Sequence, residues 1–145
     1  MLTNLFIKNF ALIDALEVSF KDKFSIITGE TGAGKSILLG GLGLILGKRA
    51  DLSVIKDSER KCVVEAHFDI ANYKLNRLFK QSELDYEANT IIRREILPSG
   101  KSRAFINDTP VSLQVLKNIS EELIDIHSQH QTGQLTDNSF QFEVI

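Results

Sequence analysis

Short runs in which apolar and polar residues alternate open the chain. Residues 5–10 and 16–20 show this alternation, which predicts two β-strands. Residues 24–28 form a third apolar run and predict a strand that leads directly into a glycine-rich loop. From 35 to 46 the apolar spacing is helical, and Gly47 can end that helix. The first third of the chain is therefore predicted to run strand, strand, strand, loop and helix.

The rest of the chain predicts an antiparallel portion. Residues 61–70 alternate as a strand does, and residues 90–97 and 103–106 flank a Pro-Ser-Gly-Lys turn typical of a hairpin. The remaining predicted elements are a helix over 73–82, a turn over 107–110, a helix from the N-cap Ser112 to about 122, and a strand over 123–127. We expect an α/β fold, namely a P-loop NTPase lobe with a mixed sheet, an antiparallel portion and flanking helices.

The glycine-rich loop carries the strongest chemical signal in the sequence. Residues 29–36 match the phosphate-binding pattern G-x-x-x-x-G-K-[ST]. The predicted nucleotide-binding residues are Gly29, Glu30, Thr31, Gly32, Ala33, Gly34, Lys35 and Ser36. The glycines let successive backbone N–H groups form an anion nest at the start of the helix. Lys35 would place its ammonium against the β and γ phosphates of ATP, and the Ser36 hydroxyl suits Mg²⁺.

Composition narrows the class of protein. The 145 residues fit one domain, and the net charge of −2 gives no general attraction to nucleic acid or to an anionic membrane. The single cysteine, Cys62, lies in an apolar run and predicts a buried side chain in a reducing compartment. The start of the chain does not resemble a signal peptide, and the longest apolar stretch, 37–46, is too short to span a membrane. We expect a cytoplasmic protein without a membrane partner.

Other candidate residues have simpler structural explanations. Asp14 precedes the loop and is interpreted as a strand-end or turn residue, and Gly40-Gly41 lie in the helix after the loop, where close packing explains them. The histidines at 67, 127 and 130 lack the cysteine or carboxylate cluster of a metal site. Residues 125–130 are polar and follow a predicted strand, so they form either a loop or part of a site.

Several particular segments occur together and in a fixed order. They are residues 5–14, 29–36, the Gly-Lys-Arg-Ala-Asp run 47–51, residues 102–107, and the Ile-His-Ser-Gln-His run 126–130. In this combination the whole chain resembles the N-terminal part of the RecN family of bacterial DNA repair proteins. These are ABC-type ATPases of the structural-maintenance-of-chromosomes (SMC) class.

The resemblance implies a role and partners. Residues 1–145 would be the N-terminal lobe of a split ATPase head, ending before a coiled coil, and a C-terminal lobe would add a signature loop and an acidic strand. Two heads would sandwich ATP in a homodimer formed through the heads or the coiled coil. The complete protein would act with DNA in recombinational repair of double-strand breaks, in the bacterial cytoplasm and associated with the nucleoid.

The resemblance also assigns residues. Gln129 matches the glutamine loop of the family, so Lys35 and Gln129 would be the catalytic residues, and Ser36 and Gln129 would hold Mg²⁺. Ser128 stands where the family usually has glycine, and Arg49 falls near an arginine that some relatives use where heads meet.

The sequence after residues 29–36 lacks the other motifs of a complete ATPase head. There is no apolar run ending in Asp-Glu, no Ser-Gly-Gly signature and no sustained heptad pattern. We therefore expect an ATPase in the complete protein and a chain that alone is inactive and binds DNA weakly or not at all. Residues 131–145 are polar and aperiodic, and we expect poor order there.

Three other functions share a phosphate-binding loop. A self-contained P-loop kinase or NTPase would need lid arginines and an acid near the acceptor. The nucleotide-binding subunit of a transporter would normally contain all its motifs in one chain. A GTP-dependent switch would need an Asn-Lys-x-Asp base reader, which the sequence lacks.

Overall fold

A computed structural model describes residues 1–20, 32–50 and 52–124. Within these ranges the chain forms one six-stranded sheet with helices packed on it. The elements in chain order are β1 (Leu2–Phe10), β2 (Ile13–Ser19), α1 (Gly32–Ile45), a 3₁₀ turn (Leu52–Val54), β3 (Cys62–Asp69), α2 (Asn76–Gln81), β4 (Asn89–Ile96), β5 (Ser102–Ile106), β6 (Thr109–Val111) and α3 (Leu113–Ser120).

The strand order is β2-β1-β3-β4-β5-β6, and every neighbouring pair is antiparallel. Alternation along the strands explains why one face is covered, as in β3, where every second residue from Cys62 to Phe68 is buried. The opposite face carries half-buried polar side chains such as Glu65 and His67. The predicted strand over 24–28 lies outside the described residues.

Helix α1 packs across β1, β3 and β4 on the apolar face. Two adjacent glycines allow a close approach to the sheet. A Cβ at Gly40 would lie 2.9 Å from the Phe10 ring, and one at Gly41 would lie 2.8 Å from Ile7 Cδ1. The prediction that these glycines serve close packing is confirmed.

The hairpin and the last helix form as predicted. Leu97 N–H donates to the Lys101 carbonyl at 2.8 Å, and Gly100 has a φ of +90° in the turn between β4 and β5. The Ser112 side chain accepts a hydrogen bond from Val115 N–H at 3.2 Å and caps α3. The helix ends at Ser120, two residues before the predicted end.

Three further predicted elements also differ from the structure. The helix over 73–82 covers only Asn76–Gln81, because Lys74 has a φ of +54° that a right-handed helix excludes. The turn over 107–110 is confined to Asn107 and Asp108, and the next residues already form the edge strand β6. In the strand predicted over 123–127, Leu123 lies in a turn, Ile124 lies outside any strand, and the rest falls outside the described residues.

No helix among the residues that the structure describes is long and apolar enough to cross a membrane.

Candidate nucleotide site at the start of the first helix

The phosphate-binding pattern runs into the first turn of α1. The helix begins at Gly32, three residues before the predicted start, so five of the eight pattern residues are helical. Residues 29–31 lie outside the described residues. A helix N-terminus presents backbone N–H groups without intrahelical partners and the positive end of the helix dipole, both of which favour an anion.

Lys35 and Ser36 extend from this turn into solvent. Both are exposed, whereas the next two residues, Ile37 and Leu38, are buried against the sheet. The first turn of α1 contains no acidic residue that would compete with an anion. A Cβ placed on Gly34 would meet no atom of the described residues within 4 Å, which leaves open space beside the helix start. An exposed amine and an exposed hydroxyl therefore lie near the N-terminus of α1, the end at which a helix presents N–H groups without intrahelical partners.

The other end of α1 is closed by two devices. Gly47 has a φ of +89°, and Lys48 N–H donates to the Gly43 carbonyl at 3.0 Å, which is the left-handed cap predicted for Gly47. In addition, Arg94 of β4 donates from Nη1 to the carbonyls of Leu44 at 2.8 Å and Lys48 at 3.0 Å. The end of the helix is thus joined to the middle of the sheet.

Sequence reasoning missed this role of Arg94. From the sequence, Arg93, Arg94, Lys101 and Arg103 flank the hairpin and could form a local basic patch, although alternating exposed strand positions explain them as well. The structure corrects that grouping, because Arg94 is fully buried on the helix-covered face. The alternation in β4 contained the signal, since Arg94 has the same parity as the buried Ile92 and Ile96.

Acidic side chains pair with two other residues of this set, Arg93 and Arg103. Glu95 lies between Lys61, Arg93 and Arg103, at 3.0, 3.5 and 3.1 Å from their nitrogens. Arg93 also lies over the Phe105 ring, 4.5 Å from its centre. Burial tends to raise the pKa of the Glu95 carboxyl, but the Lys61 hydrogen bond and the surrounding cations together lower it below its usual value.

The remaining candidates have structural partners. His67 pairs with Glu65 at 2.7 Å, and the described residues contain no group of side chains able to hold a metal ion. Asp14 lies near the start of β2 and pairs with Lys56 at 2.7 Å on the surface. Cys62 is fully buried, and burial raises the pKa of its thiol to about 11. Gln129, His127, His130 and the segment 125–130 lie outside the described residues.

Comparison with known protein families decides the class of this chain. Residues 4–143 match the family model described as an AAA domain. The chain belongs to the AAA domain family. Two curated relatives of this AAA domain are DNA repair proteins RecN. The one from Vibrio cholerae serotype O1 is 41% identical over 146 residues, and the one from Haemophilus influenzae is 39% identical over 149 residues. The predicted resemblance to RecN is confirmed.

The alignments also show how much of the RecN proteins this chain spans, and a solved structure shows its fold. The alignments cover 100% of this chain but 26% and 27% of the two RecN proteins, so the chain spans about a quarter of their length. A solved structure from work on the structural biochemistry of ATP-driven dimerization and DNA stimulated activation of SMC ATPases matches with a TM-score of 0.71 at 18% identity, covering 93% of this chain and 90% of that one. The chain therefore has the same fold as that SMC ATPase structure, which confirms the predicted fold class.

Proposed function

We propose that this chain is the N-terminal lobe of a split ATPase head and binds ATP with Mg²⁺ through residues 29–36. The observation that supports this proposal is the exposed Lys35–Ser36 pair in the first turn of α1, on a chain of the AAA domain family. The full pattern match of residues 29–36 supplies the specificity that a helix end alone lacks.

Each residue has a role that its chemistry supports. The N–H groups at the start of α1 bind phosphate oxygens, and Lys35 adds a charge-assisted hydrogen bond to the β and γ phosphates. The Ser36 hydroxyl is a hard oxygen ligand that suits Mg²⁺. When bound, Mg²⁺ would neutralise negative charge on the phosphates. By resemblance to RecN, Gln129 would help to hold the metal and to orient the attacking water.

The chain supplies only part of a hydrolytic site. Lys35, Ser36 and Gln129 can bind and orient, but none is a good base for the attacking water. Phosphoryl transfer depends on positioning and on stabilising charge in the transition state, so missing groups cost rate steeply. We infer that hydrolysis requires a C-terminal lobe and a second head, as in the paired heads of SMC ATPases.

The biological role follows from the RecN relatives. We propose that the complete protein acts in recombinational repair of DNA double-strand breaks, in the bacterial cytoplasm on the nucleoid. Its DNA contacts would lie mainly outside this lobe, because the net charge here is −2 and phosphate neutralisation drives DNA binding.

Measurement of phosphate release tests the proposal that this chain is a half-site, that is, that it supplies only part of the residues needed for ATP hydrolysis. The 145-residue chain alone should release phosphate from ATP at background rate. Addition of a lobe with the signature loop and acidic strand should raise the rate, and Gln129→Ala in that reconstituted head should slow turnover more than it weakens ATP binding. Rapid turnover by the chain alone, lost in Lys35→Ala, would contradict the half-site and favour a self-contained NTPase or kinase.

A further inference from the structure

Arg94 is a buried cation on the sheet face that α1 covers. It lies in β4, and none of its side chain is exposed. Its cross-strand neighbours are Val64 on β3 and Ala104 on β5. These are small side chains, so the guanidinium has room to pass along the sheet toward α1.

The partners of Arg94 are neutral oxygens. Nη1 donates to the carbonyls of Leu44 and Lys48, and Nη2 donates to Ser102 Oγ at 2.6 Å. No carboxylate of the described residues forms an ion pair with Arg94, whereas its neighbour Arg93 lies near three of them. Burial lowers the pKa of Arg94 from its ordinary value, although a guanidinium stays protonated at neutral pH.

Stability alone does not account for this arrangement. A buried charge without a counter-ion is costly, and a well-packed apolar side chain of similar volume often serves a core as well or better. Among the described residues, the compensating partner is the negative end of the α1 dipole, where the Leu44 carbonyl accepts from both Gly47 N–H and Arg94. Arg94 therefore holds the C-terminal end of α1 at one position relative to β4.

The position of the C-terminal end of α1 affects the opposite end of the helix. The 14 residues of α1 span roughly 21 Å as a rigid rod, so axial movement at Leu44 is transmitted to the first turn. Gly40 and Gly41 set the distance between helix and sheet. The buried apolar side chains of α1 pack on the sheet, and the Arg94 hydrogen bonds add a directional restraint along the helix axis.

We propose that Arg94 is a positioning residue for the nucleotide site, which holds the C-terminal end of α1 and thereby fixes the axial position of Lys35 and Ser36. The inference rests on the proposed function of those two residues. It makes the affinity for ATP depend on a side chain that lies about three helical turns from Lys35 and does not touch the phosphates.

The test measures ATP affinity in the complete protein with Mg²⁺, at temperatures well below each variant's Tm. Arg94→Met keeps the apolar part of the side chain and removes the guanidinium. Arg94→Lys keeps the charge but loses the planar group whose two terminal nitrogens donate to different partners. Arg93→Met is the matched control, since it removes the adjacent arginine from the other face of β4. We expect the Kd for ATP to rise about 10-fold in Arg94→Met, less in Arg94→Lys, and less than 2-fold in Arg93→Met, because a displaced Lys35 would lose most of its charge-assisted hydrogen bond to the phosphates.

A double-mutant cycle separates positioning from a general loss of stability. Distant, independent sites add to within about a factor of two. If Arg94 acts through α1, adding Arg94→Met to Ser36→Ala should raise the Kd at least 3-fold less than it does in the wild-type background. A lowered Tm with additive effects on the Kd would overturn the inference.

Other outcomes are also decisive. If the wild-type protein binds ATP and the folded Arg94→Met variant binds it with the same Kd, the positioning role is overturned and the proposed function stands. If Arg94→Met does not fold, Arg94→Lys decides, and wild-type affinity there overturns the inference. A wild-type protein that binds no ATP overturns the proposed function and this inference with it.

Discussion

An alanine at Gly41 should destabilise the protein, although alanine is the better helix former. The new Cβ would lie 2.8 Å from Ile7 Cδ1, 3.3 Å from Ile7 Cγ1 and 3.6 Å from Val64 Cγ1. Ile7 is 1% exposed and belongs to the core, so its side chain cannot move aside into solvent. Either Ile7 leaves its rotamer or α1 moves away from the sheet.

Two opposing effects set the magnitude. Replacing glycine by alanine inside a helix gains about 1 kcal/mol of helix propensity, and overpacking a core costs about 1–3 kcal/mol. We expect a net loss of about 1 kcal/mol. Gly43→Ala is the matched control in the same helix, because its nearest neighbour is Lys48 Cδ at 3.1 Å, on an exposed and flexible side chain. That change should stabilise by about 0.5–1 kcal/mol.

Urea unfolding followed by circular dichroism gives both values. The double variant Ile7→Val/Gly41→Ala removes the Cδ1 atom that the new methyl meets, so it should be less destabilised than the sum of its single changes. A Gly41→Ala chain as stable as Gly43→Ala, or strict additivity with Ile7→Val, would refute the close-packing argument.

Three further predictions concern the charged face, the thiol and DNA. Glu95 has a lowered pKa in the folded state, so its stabilising effect is complete above its ordinary value of 4.5 and is lost as pH falls from there through the folded-state pKa. Glu95→Gln should therefore lower the urea midpoint more at pH 7 than at pH 3. Cys62 is buried with its pKa raised to about 11, so a thiol reagent at pH 8 should label it only after unfolding, and rapid labelling of the native chain would contradict its burial. The chain should bind duplex DNA weakly or not at all, and a gel shift with sub-micromolar affinity at physiological salt would show that this is wrong.

Much of the fold could be predicted because local signals agree with the tertiary structure. The alternation over 61–70 predicted β3, and Ser112 predicted the start of α3. Gly47 predicted the end of α1 because a left-handed cap needs a residue without a Cβ penalty. The described part of the candidate site was also predictable, since the phosphate-binding pattern is local.

Other features depend on contacts that are distant in sequence. Asn9 is buried with a φ of +55°, and its side-chain amide donates to the carbonyls of Asp57 and Arg60, which holds the loop after α1. The sequence predicts that Arg94 is exposed, because residue propensity and charge do not indicate that the end of a helix packs against it. Each is a buried polar side chain that hydrogen-bonds to backbone groups about 50 residues away.

Titration of ATP with Mg²⁺ into the Lys35→Ala variant tests the central claim most directly. The lost contact is a charge-assisted hydrogen bond worth about 1.5–3 kcal/mol, so affinity should fall by about 10- to 150-fold while the far-ultraviolet circular dichroism stays the same. Lys48→Ala, an exposed lysine just beyond the other end of α1, should bind as the unmodified chain does. Unchanged affinity in a folded Lys35→Ala chain would contradict the assignment of residues 29–36 as the nucleotide site.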